Sequence, residues 1–194
     1  MDTTIPNIIK ETSSGLQCCT ILDEMLYHRE IECTGEISSS SVNALIRQIR
    51  YLAREDSDAP INIYINSPGG EVVSGLALYD VMKAVSCPIR TICTGTAASM
   101  AALLFAAGDT RDILPHGVVM IHDPLMTSCH GGSALQMKAL GDRLMQTRRI
   151  TAQILARHTG HDLEQIFELT AQDTFFAAEE AVAFGLADRI ITQL

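Results

Sequence analysis

Ile61-Asn62-Ile63-Tyr64-Ile65-Asn66-Ser67-Pro68-Gly69-Gly70 decides the fold. Isoleucine at every second position is the period of a strand, and the Pro-Gly-Gly turn ends it. Residues 71–85 then carry Val72, Leu76 and Tyr79 on one helical stripe and Leu78, Met82 and Val85 on a second, which predicts a largely enclosed helix. A strand over 88–94 and a helix over 99–107 repeat the pattern. This β, α, β, α alternation predicts an α/β fold with a parallel sheet and right-handed crossovers.

Working outward, residues 30–34 read as a strand and Ser38 to Ser41 as N-caps of a helix whose apolar face is Val42, Leu45, Ile46, Ile49 and Leu52. A short helix over 19–28 and an extended arm over 5–10 precede them. Toward the carboxyl end, Ile113 and Val118 to Ile121 suggest two short strands about the His116-Gly117 turn. Residues 125–133 lack helical periodicity, and residues 134–158 resume it with Met137, Leu140 and Leu144 on one face. So long a helix is expected to leave the core as an interaction element. Residues 162–169, 177–184 and 188–191 read as helix, helix and strand.

At 194 residues and 47% hydrophobic content, without a Ser/Pro-rich linker, one domain is expected. The net charge of −9, with no basic cluster to offset it, argues against nucleic acid and anionic membrane as partners. The most apolar stretch, Ala97 to Ala107, is about half the roughly 20 residues that span a bilayer, so a buried helix is expected. Met1-Asp2-Thr3-Thr4 does not begin a secretory signal. Six cysteines without C-x-x-C spacing read as reduced, mostly buried thiols of a cytosolic protein.

Three segments close apolar strands, where open α/β sheets build their sites: Asn66 to Gly70, Gly95-Thr96-Ala97-Ala98-Ser99-Met100, and Met120-Ile121-His122-Asp123-Pro124. Ser99 is either a helix N-cap or a nucleophile; the small Ala97, Ala98, Ala101 and Ala102 would let a carbonyl approach it. The Met100 N–H, at a helix start, could face an oxyanion, and Gly70 N–H could be a second donor unless Gly69-Gly70 is only a tight turn. Neither a phosphate-binding glycine pattern nor a G-x-S-x-G elbow is present. His122 is a structural residue or a general base. Cys129 and His130 lie near it in sequence, but their spacing matches no zinc pattern. For the acid that orients the imidazole, Asp123 points to the opposite strand face, whereas Asp173 is either a turn residue or a buried acceptor.

Residues 63–70, Ala97-Ala98-Ser99-Met100, Met120-Ile121-His122, His158-Thr159-Gly160 and Asp173 ahead of Ala177-Ala178-Glu179-Glu180-Ala181 together resemble the Clp protease family of ClpP-type proteolytic subunits. The likeness runs from Ile5 almost to Leu194. It implies a ClpP/crotonase-like fold of spiral βαβ units with a protruding handle helix, an N-terminal axial arm over 1–18, and one protease domain over 19–194 with the handle at about 125–158. It also implies Ser99 as nucleophile, His122 as base, Asp173 as its orienter, and the N–H groups of Gly70 and Met100 as oxyanion hole, with no metal or organic cofactor. The implied assembly is two stacked heptameric rings fed with unfolded polypeptide by an AAA+ unfoldase. ATP would be consumed by that partner, since no P-loop occurs here.

Three departures stand out. Thr174 occupies a position commonly held by an arginine that pairs across the rings. Ser133-Ala134-Leu135-Gln136-Met137 replaces a handle start that usually carries an acidic residue. Asn62 and Ala84 replace aromatic residues of the unfoldase-docking face, with Tyr64 retained. These changes suit a divergent second paralogue working in a mixed assembly. Two rival readings are a catalytically weak, regulatory ring subunit and a coenzyme A-binding crotonase-type enzyme.

Overall fold

The computed structural model describes residues 5–13, 15–126 and 131–194. Strand β1 (Asn7–Thr12) pairs antiparallel with β2 (Gly15–Thr20), Asn7 opposite Thr20. An arm over 5–10 and a helix from residue 19 were expected; instead β2 runs to Thr20 and α1 (Ile21–Tyr27) starts after it. Thr20 sets that boundary, because its hydroxyl accepts from the Asp23 N–H while the Asp23 carboxylate accepts from the Thr20 N–H. The hairpin leaves no period-two apolar pattern, since every residue of β2 is exposed or half-exposed.

The main body follows the alternation read from sequence. β3 (Glu30–Thr34), α2 (Ser39–Glu55), β4 (Ile61–Ser67), α3 (Val72–Ala84), β5 (Ile89–Ala98), α4 (Met100–Ala106), β6 (Thr110–Ile113) and β7 (Val118–Ile121) come in turn. Next are α5 (Ala134–Thr159), α6 (Leu163–Thr170), β8 (Thr174–Ala177), α7 (Ala178–Ala183) and β9 (Arg189–Ile190). The sheet runs β3-β4-β5-β6-β9 with every neighbour parallel. β8, not foreseen as a strand, pairs antiparallel with β7.

β5 changes partner along its length. Its first half pairs with β6 and its second half with β7, Ala98 opposite Met120. The change falls where its register against β4 shifts, between Ile65 and Ser67. Gly95 sits there, with the Asn66 side chain so close that a Cβ would come within 2.7 Å of Oδ1, which accepts from the Thr96 N–H. The strand therefore continues four residues past the 88–94 span read from sequence.

All seven residues of α4 are buried, as expected, with Phe105 among the largest fully enclosed side chains. α2 buries Val42, Leu45, Ile49 and Leu52, starting from the Ser38 cap. α3 is less enclosed than its two stripes suggested: Gly75, Leu78, Tyr79 and Met82 are buried, while Val73 is exposed. In α5 the buried residues are Thr151, Ala152, Ile154 and Leu155, and the preceding turns stand clear with Leu135 and Met145 in solvent. Capping explains its start, since the Ser133 hydroxyl accepts from the Gln136 N–H.

Candidate active site

β5, β7 and β8 deliver three side chains to one place. Ser99 follows β5 directly, and its N–H donates to Met120 O at 2.8 Å. His122 follows β7, whose last pair is Ile121 opposite Thr174, so the next antiparallel pair sets His122 across from Asp173. His122 Nε2 lies 2.8 Å from Ser99 Oγ and Nδ1 lies 3.1 Å from Asp173 Oδ1. The tautomer that satisfies both has the proton on Nδ1, donating to the carboxylate, and leaves Nε2 to accept from the serine hydroxyl.

Ser99 does not act as the cap that its position suggests. Its side chain makes no capping bond, and its backbone sits at φ 56°, ψ −122°. A non-glycine residue held there costs on the order of 1–3 kcal/mol, and such positions cluster at functional sites. The strain aims the hydroxyl at His122 instead of at the α4 N–H groups.

The Pro-Gly-Gly turn backs directly onto this residue. A Cβ on Gly69 would fall 2.7 Å from Ser99 Cβ and 3.0 Å from Met100 N, and one on Gly70 would fall 2.2 Å from Ile37 O. Both glycines have positive φ, 94° and 149°. The turn is fixed by Ile37 N–H to Gly69 O and Glu71 N–H to Ile37 O, each 2.8 Å. Neither the Gly70 nor the Met100 N–H donates to another group among the described residues. Two backbone donors are thus open on adjoining turns.

Asp173 is the imidazole's acceptor, but it is not buried: its side chain is 60% exposed, against 14% for His122. Asp123 turns away from the ring, as its strand phase predicted. Its carboxylate receives Arg148 Nε at 2.6 Å and the Thr170 hydroxyl at 2.7 Å. Sequence reading did not find Arg148 or Thr170, and their distance along the chain carried no signal. Cys129 and His130 lie outside the described residues. The thiols of Cys33 and Cys93 are pushed up to about 11 by burial, so they remain protonated and are poor nucleophiles. Against the mostly buried reading of the thiols, Cys18 is exposed on β2.

The description "Clp protease" belongs to a family model that matches residues 13–194. The chain is also 39% identical over 189 residues to the "ATP-dependent Clp protease proteolytic subunit" of Ligilactobacillus salivarius (strain UCC118), covering 96% of this chain and 95% of the relative. A match over this length, on a parallel α/β body, puts the chain in the Clp protease family.

Proposed function

We propose that this protein is a serine endopeptidase, the proteolytic subunit of an ATP-dependent Clp protease, which cuts unfolded polypeptide into short peptides. The observation that carries the mechanism is the continuous chain of hydrogen bonds from Ser99 Oγ through His122 to Asp173. Ser99 attacks the scissile carbonyl as its proton passes to His122 Nε2, and the same proton then goes to the leaving amine. Asp173 holds the tautomer and stabilises the imidazolium. The open N–H groups of Gly70 and Met100 receive the tetrahedral oxyanion. Water repeats the sequence on the acyl-enzyme. None of these steps calls for a metal or organic cofactor.

Family membership supports a wider setting for this chemistry. It comprises self-association into heptameric rings and a double ring, an AAA+ unfoldase that delivers substrate, and a cytosolic location, while the departures at Thr174, residues 133–137, Asn62 and Ala84 suit a ClpP paralogue as companion. Among the described residues no helix is long and apolar enough to cross a membrane. The exposed first turns of α5 suit a handle over about 125–158, and the hairpin of β1 and β2 falls almost wholly within the proposed axial segment (1–18), its last two residues entering the protease domain (19–194). No feature of the site favours acyl-CoA chemistry or a purely regulatory subunit.

Ser99→Ala tests the proposal. Loss of a triad nucleophile costs up to about 10⁶ in rate, so peptide hydrolysis and fluorophosphonate labelling should both vanish while assembly persists. Turnover at the wild-type level in that variant would remove Ser99 from the mechanism.

A further inference from the structure

The serine, histidine and aspartate come from three separate segments, and the backbone ladder that joins the last two, β7–β8, is short. One guanidinium grips the chain on both sides of that pair. Arg148 Nε donates to Asp123 Oδ2 at 2.6 Å, and Asp123 is the residue after His122. Arg148 Nη2 donates to Phe167 O at 3.0 Å, and the guanidinium carbon lies 4.2 Å from the centre of the Phe167 ring. Phe167 lies in α6, which ends at Thr170, three residues before Asp173. The two grips are themselves tied: the Thr170 hydroxyl donates to Asp123 Oδ1 at 2.7 Å, and the Asp123 N–H donates to Thr170 O at 2.7 Å.

Arg148 also occupies a special place on its own helix. The buried residues of α5 begin at Thr151, while Ala134 to Gly141 are exposed. Arg148 is half-buried at the junction, and among the described residues it is the only side chain of α5 that forms an ion pair outside the helix. We propose that Arg148 is a positioning residue for the peptidase reaction, acting through Asp123 and α6 to hold His122 and Asp173 in register. The inference rests on the assignment of Ser99, His122 and Asp173 given above.

An arginine that donates to two separate acceptors and stacks on a ring fixes direction as well as distance, and a lysine at the same place can supply only a point charge. Misplacing a reacting group by about 1 Å can cost about 10²-fold in rate, which is enough to expose the role. The experiment measures kcat, KM and the fluorophosphonate labelling rate per chain on a short fluorogenic peptide, with sedimentation recorded on the same samples. Arg148→Met should lower kcat and the labelling rate together by about tenfold to a hundredfold, with KM changed by less than about twofold. Arg148→Lys should recover part of that loss. Adding Asp123→Asn to Arg148→Met should cost nothing further, because both remove the same link.

Several results overturn the idea. These are wild-type kcat in Arg148→Met, a fully additive double variant, or a change in sedimentation with unchanged labelling per assembled chain. If Arg148→Met does not fold, Arg148→Lys and Asp123→Asn decide it, and wild-type kcat in both counts against it. Ser99→Ala run alongside separates the two levels: activity retained there sinks the triad, whereas activity lost there with Arg148→Met unaffected sinks only the positioning role.

Discussion

At Ser99 the backbone takes a conformation in which serine is strained, and the residues around it make that conformation the available one. Its N–H is taken by Met120 O, Gly69 packs against it so closely that Gly69 itself has no room for a Cβ, and the next residue already starts α4. The two aspartates provide the sharpest contrast at this scale. Asp173→Asn leaves a hydrogen-bonding group at Nδ1 but favours the wrong tautomer, so hydrolysis should fall by about 10³–10⁴ without unfolding. Asp123→Asn can keep its one oxygen for Thr170 but then turns an NH2 donor toward Arg148 and loses that link, so it should cost about tenfold, far less than Asp173→Asn. Peptidase assays on both variants check this, and equal losses would mean the orienting acid is wrongly assigned. Sequence could separate these aspartates because strand phase turns Asp123 away from His122. It could not supply Arg148, since nothing local ties a residue of a long helix to a loop 25 positions earlier.

Among the elements, those with one buried face and one exposed face were legible. The alternation in β4 and the helical stripe of α2 correspond to the inward faces, with Val42, Leu45, Ile49 and Leu52 buried and Ile46 half-buried. Elements that depend on distant partners were not: β8 is four residues that become a strand by pairing with β7, and the second half of β5 continues past a glycine because β7 is there to receive it. The junction of α5, α3 and β6 offers a test by pH. His158 Nε2 lies 3.1 Å from the Tyr79 hydroxyl, and burial, followed by the charges of Lys83, Arg111 and Arg157, lowers its pKa from 6.5 to about 4 against an opposing pull from Asp109. Since the unfolded chain takes up this proton at a higher pH than the folded one, the contribution is full above about pH 6.5 and declines as pH falls toward 4. Thermal melts of wild type should therefore lose Tm across that interval, and His158→Gln should lose less. Parallel curves would assign the acid sensitivity to other groups.

For the whole molecule, the parallel body was readable from its alternation, while assembly depends on surfaces that a single chain leaves open. Thr174 spends its hydroxyl on Leu169 O at 2.7 Å, within its own chain. It has no charge to offer the facing ring of the proposed assembly. Surface ion pairs are worth only about 0–1 kcal/mol each, yet a ring repeats the loss at every subunit. The protein alone is thus expected to populate single rings or a weakly active double ring, with peptidase activity rising when a paralogous ring or an unfoldase is added. Analytical ultracentrifugation with a peptidase assay checks this, and a stable, fully active homomeric double ring at low concentration would make Thr174 a neutral substitution.

The exposure of Asp173 would give association a role in the proposed chemistry itself. In the lone chain its carboxylate faces water, where high local polarity and dissolved ions weaken its hold on the imidazole. Any surface that covers this carboxylate without competing for its oxygens excludes water and strengthens the same 3.1 Å contact. A neighbour could therefore sharpen the base without contributing a single atom to the reaction, acting as an insulator around a charge already in place.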